Sequence, residues 1–85
     1  MAKVNSKIEE RPLYEIASEI KQNWVSWRES YAEPYISAMS DLSSIDDNYF
    51  FDSAKSIVLY FLANAQSWRG DVARQIKAEL MAMVA

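Results

Sequence analysis

A chain of 85 residues with one glycine, Gly70, and two prolines, Pro12 and Pro34, has few places to make tight turns. Glycine supplies the left-handed backbone that short hairpins need, and proline presets turn geometry. Their scarcity favours helices with short connections over a meander of strands. The expected fold class is all-α, a small bundle of three to four helices. An apolar share of 51% and an aromatic share of 13% suffice for a compact core in one domain, with much of the surface still exposed.

Apolar residues recur at helical spacing. From Pro12 onward, Leu13, Ile16, Ala17, Ile20, Trp24 and Trp27 form one stripe, predicting a first helix over about 12–27. Glu15 and Glu19 lie near its start, where the macrodipole favours acids. Ser30 and Glu33 make a Ser-x-x-Glu capping signature for a second helix, with Pro34 in its first turn. Because Pro34 biases Glu33 away from helical backbone, the start can fall a residue or two later. Ile36 or Tyr35, Met39 and Leu42 give this helix a short apolar face ending near Ser43.

Ser43 to Asn48 is rich in side chains that compete for backbone bonds and reads as a turn or loop. Asp52 or Ser53 then caps a third helix running to about Ala65. Its stripe is Ala54, Ile57, Val58, Phe61, Leu62 and Ala65. Leu59 and Tyr60 extend the apolar surface almost all round, which places the helix in the middle of a bundle. The β-branched pair Ile57-Val58 leaves a strand as the alternative. A last helix carries Trp68, Val72, Ala73, Ile76, Leu80 and Met83, capped by Ser67, or else by Asp71 with a later start. Residues 1–11 are polar, mixed in charge and without the apolar run of a signal peptide. They read as a flexible tail ahead of a single helical domain over 12–85. The longest apolar run, Ile57 to Ala63, is far short of a bilayer span, so the expectation is a soluble, cytoplasmic protein with no membrane partner.

The chain has no Cys and no His. Structural zinc, haem ligation by His, and Cys–His or Ser–His catalysis therefore lack their raw material. Paired carboxylates could run a hydrolysis, but that needs a cleft to perturb one of them, and no motif singles out a pair. None of the serines lies in a nucleophile elbow. The expectation is a non-enzymatic protein with no cofactor and no metal. Asp46, Asn48 and Asp52 fall at positions 1, 3 and 7 of a calcium-loop count. That pattern then fails, with Phe50 at 5, Phe51 in place of the glycine at 6 and Ile57 in place of the glutamate at 12. Arg69-Gly70-Asp71 spells an integrin-read tripeptide, but at a helix start rather than an extended loop tip.

Charge is uneven. Glu33, Asp41, Asp46, Asp47 and Asp52 lie in residues 32–52 without a single base, in a chain of net charge −3. The plain reading is a solvated loop with helix caps. The sharper one is an acidic patch that meets a basic partner or mimics nucleic acid. Direct nucleic-acid binding is disfavoured by the missing basic footprint.

The aromatic residues say most about function. Trp24 reads as core. Trp27 and Tyr31 run past the expected helix end, Val25 lies off the stripe beside Lys21 and Arg28, and Phe50-Phe51 are adjacent in an acidic loop where both cannot point inward. Met81 shares a polar helix face with Arg74 and Lys77. Large apolar residues gathered on a surface mark interfaces, and aromatics with arginine among them have the composition of binding hot spots. The candidate protein-binding residues are thus Val25, Trp27, Arg28, Tyr31, Phe50 and Phe51. The partner expected is another protein.

Tyr49 to Ala65 and Trp68 to Leu80 resemble the C-terminal half of small uncharacterised helical proteins of phages and mobile elements. The resemblance covers about half the chain and implies no activity. Against it, Val25-Ser26-Trp27-Arg28 and Phe50-Phe51 are unusually apolar, as in a natural scaffold engineered to bind a chosen protein. Two other readings remain open: an acidic mimic of phage type that blocks a host protein, and a self-associating structural subunit that closes a homodimer.

Overall fold

The computed structural model describes residues 10–85. Four α-helices are present among them: α1 (Leu13–Asn23), α2 (Glu33–Met39), α3 (Ala54–Asn64) and α4 (Asp71–Val84). A 3-10 turn (Trp27–Glu29) joins α1 to α2, and a two-stranded antiparallel hairpin, β1 (Asn48–Tyr49) and β2 (Asp52–Ser53), precedes α3. The chain is therefore mostly helical, and the hairpin departs from a pure all-α bundle. Helix α3 packs on α2 and α4, and α1 packs on α2 and α4.

The first helix buries Leu13, Ile16, Ala17 and Ile20, the inward half of its stripe. Each such Leu or Ile contributes about 1.5–3 kcal/mol by leaving water. Pro12 occupies the capping position in extended backbone, just ahead of the first turn. Two N–H groups that a helix start leaves open find partners in the turn after α2: Leu13 donates to the Ser43 carbonyl at 3.1 Å and Tyr14 to the Leu42 carbonyl at 2.9 Å.

Helix α1 stops at Asn23, not near Trp27. Trp24 adopts extended backbone, with φ −118° and ψ 93°, which lays its ring flat on Trp68 with centroids 5.5 Å apart. The reason for the early end is tertiary: the stack joins the segment after α1 to the segment before α4. Trp68 is thus buried core outside any helix, not the first residue of the last stripe. Gly70 caps α4 at φ +112°, a left-handed conformation that glycine adopts without strain, so neither Ser67 nor Asp71 is the cap.

The Ser30–Glu33 capping box does not form. Ser30 Oγ donates to the Trp27 carbonyl at 2.7 Å and accepts from Ala32 N–H at 3.2 Å, while the Glu33 carboxylate accepts from Ser37 Oγ at 2.8 Å. Helix α2 begins at Glu33 with Pro34 in its first turn, so the proline's bias does not delay the start. The Ser53 cap does form, its hydroxyl oxygen accepting from Ser56 N–H at 3.1 Å. Ile57 and Val58 are helical and buried, which removes the strand alternative. Leu59 and Tyr60 are about half exposed, so α3 keeps one open face and is not wrapped on all sides.

Arg11 fastens the start of the described chain to its far end. Its guanidinium donates to both Glu79 oxygens, at 3.0 and 2.7 Å, and to Glu19 at 2.7 Å. Hydrogen bonds from these carboxylates, that of Glu79 foremost, push its proton affinity above the usual arginine range. Of the stretch read as a tail, residues 1–9 lie outside the described residues.

Candidate functional site

Two connections bring the candidate binding residues to the surface. In the first, between α1 and α2, Val25 is 96% and Tyr31 88% exposed, and Arg28 is exposed beside them. Trp27 differs. Its ring is partly buried against the core, with Lys21 Nζ 5.1 Å and the Arg28 guanidinium 5.2 Å from its centroid. Two cations at this range favour the ring electrostatically and hold both basic side chains close to it. Trp27 therefore supports the connection with Arg28, itself exposed, lying over its ring, while Val25 and Tyr31 are the apolar side chains left open to water.

The second connection is the hairpin. Tyr49 pairs with Asp52 and Asn48 with Ser53, leaving Phe50-Phe51 as the two-residue loop. Phe50 is 84% and Phe51 105% exposed. Phe50 has φ +56°. A positive value at the first loop position only matches a type II′ turn, which usually has Gly there, so a bulky aromatic side chain costs roughly 1–3 kcal/mol in this conformation. The base of the hairpin is well tied. Ala54 N–H donates to the Asp47 carbonyl at 2.8 Å, and the Asp47 carboxylate accepts from Ser43 and Ser44 N–H at 2.9 and 3.0 Å. Tyr49 packs partly buried against the core and meets the Phe50 ring edge-on at 4.8 Å.

Among the described residues, ring contacts join Trp24 to Trp68, Tyr35 to Tyr60 and Tyr49 to Phe50. None of these ring contacts links the hairpin tip to the 24–31 connection. A third exposed group was missed by sequence reasoning. Tyr60 on α3 lies 5.5 Å from Tyr35 on α2, with Leu59 beside it on the open face. The signal was present in Leu59 and Tyr60 lying off the α3 stripe. Tyr14, half exposed on α1, carried no such signal. Met81 is exposed on α4.

Of the five acids in 32–52, Glu33 and Asp47 are engaged by local hydrogen bonds, whereas Asp41, Asp46 and Asp52 are exposed. Among the described residues, no base forms an ion pair with any of them. The basic side chains on α4 are otherwise occupied: Arg74 pairs with Asp71, and Lys77 Nζ donates to the Trp68 carbonyl at 2.7 Å. Partial burial, then the nearby Arg69 charge, lowers the Lys77 pKa from the usual lysine value. Gly70 and Asp71 of the Arg-Gly-Asp tripeptide are the cap and first turn of α4. Among the described residues, no group of three or more acids is placed to hold a metal ion, and no helix is long and apolar enough to cross a membrane.

These features describe a small, mostly helical protein whose outermost apolar side chains sit in its connections. No protein-family model, characterised protein or solved structure matches the chain.

Proposed function

We propose that this chain is a non-enzymatic protein-binding module that meets another protein through apolar side chains of its connections. The observation that carries the reading is the near-complete exposure of Val25, Tyr31, Phe50 and Phe51. Single exposed apolar residues are ordinary. Large ones at the tips of connections whose bases are packed and hydrogen-bonded lose little freedom on docking, which favours their use as contacts. The reading applies to a phage or mobile-element protein, as the resemblance of 49–65 and 68–80 implies, and equally to such a scaffold engineered for a chosen partner.

The test places a photo-crosslinking phenylalanine analogue at position 31, 51 or 75, Gln75 being an exposed polar residue on α4. Irradiated with proteins of its source cell, the chain should give a discrete adduct from 31 or 51. Excess unlabelled chain should compete the adduct away. Equal labelling from 75, or no adduct from either connection, would end the reading. Asp41, Asp46 and Asp52, exposed without a partnering base, favour the acidic mimic as a second reading. In that case, neutralising all three abolishes the adduct while the fold survives.

A further inference from the structure

Resting on the protein-binding reading, we infer that the Phe50-Phe51 tip is the main docking element and that its occupant is a protein surface with an apolar pocket rimmed by basic side chains. The two rings stand almost wholly in water on adjacent residues of a two-residue loop. A loop of that length offers no way to fold both rings back onto the core. The backbone beneath Phe50 is at φ +56°, so the local turn would form more readily with glycine or asparagine there. Turn formation therefore does not account for the residue. Exposure of two large rings does not favour folding either.

The charges around the tip select among occupants. Asp52 is the strand residue directly after the loop, and Asp46 lies just ahead of β1; both are exposed, and neither forms an ion pair among the described residues. Residues 32–52 contain no base to offset them. A pair of phenylalanines on a loop could also enter a lipid surface. An anionic bilayer, however, attracts basic segments and repels this one. Nucleic acid is repelled for the same reason. A protein pocket with a basic rim satisfies both requirements, taking the rings inside and meeting Asp46 and Asp52 at the edge. The hairpin base, tied through Asp47, Ser53 and Tyr49, anchors the backbone from which the two rings project.

The test uses the full chain, labelled for amide NMR, and four defined probes. Two are peptides of equal length, one alternating leucine and lysine, the other leucine and glutamate. The others are vesicles of phosphatidylcholine alone and of phosphatidylcholine with phosphatidylserine. The leucine–lysine peptide should bind and move the amides of residues 46–53 most. The double variant F50S/F51S should weaken that binding at least tenfold, and D46N/D52N several-fold, with the latter loss shrinking at high salt. Circular dichroism and amide spectra check that both variants stay folded, and F50G, which relaxes the turn, provides a second variant should F50S/F51S unfold. Failure of the leucine–lysine peptide to bind, equal binding of the leucine–glutamate peptide, or F50S/F51S binding as tightly as the parent would each overturn the inference. So would tighter binding to either vesicle than to the peptide. Shifts centred on residues 24–31, or a cross-link from position 31 with none from 51, would remove the tip while leaving the protein-binding reading intact.

Discussion

Two pairs of aromatic residues lie in the connections of this fold, and they meet opposite fates. Trp24 and Trp68 are 5% and 4% exposed and stack face to face, although neither belongs to a helix. Phe50 and Phe51 project into water from a hairpin whose base is anchored. The difference lies in chain geometry more than in hydrophobicity. Trp24 and Trp68 come from segments far apart in sequence, and each backbone can turn its ring inward to meet the other. Phe50 and Phe51 are consecutive residues of a two-residue loop. The first pair contributes to stability, and the second is left free to contribute to binding.

That division is open to measurement. Trp68→Ala should be the most damaging single change, costing about 3–5 kcal/mol in a denaturant titration by removing the stack and leaving a cavity. A loss below about 1 kcal/mol would mean that the tryptophan pair is no more structural than the phenylalanine pair. Ser53→Ala should cost about 1 kcal/mol by uncapping α3, measured the same way. Because Ser53 is also the last strand residue, amide hydrogen exchange should rise in 48–53 before it rises in α1. Phe50→Gly should have the opposite sign, stabilising by roughly 0.5–1 kcal/mol as the left-handed strain is relieved, less the added freedom of the unfolded glycine. Phe51→Ser should change stability by less than about 0.5 kcal/mol. If either phenylalanine change destabilised the fold by more than about 1 kcal/mol, the tip would be structural and the contrast would collapse.

The helices were legible where their apolar stripes are regular. Leu13, Ile16, Ala17 and Ile20, and likewise Ala73, Ile76 and Leu80, are buried as their spacing requires. The cap of α3 was legible to within one residue: Asp52 and Ser53 both carry a side-chain oxygen suited to the position, and Ser53 takes it. The end of α1 was not, since Trp24 and Trp27 continue the three- and four-residue spacing and only the contact with Trp68 turns the chain away. The hairpin was hidden for a different reason. Its strands are too short to show alternation, and its turn carries Phe-Phe where Asn-Gly would have announced it. Exposure of Val25 could be read from its position off the α1 stripe, and adjacency showed that Phe50 and Phe51 could not both point inward. Tyr31, by contrast, continues the spacing of that stripe, and its exposure was not legible. What the sequence left open was whether they adjoin, because that depends on where the hairpin is seated.

The clamp between Arg11 and Glu79 also bears on folding kinetics. The two residues are separated by 68 positions, so their contact closes a loop containing nearly all of the helical core. Closing so long a loop is entropically costly until the intervening helices have assembled. An interaction completed that late acts mainly on the unfolding rate, setting how long a folded molecule survives rather than how quickly it is made. The lifetime of the fold thus depends in part on one guanidinium that sits outside every helix.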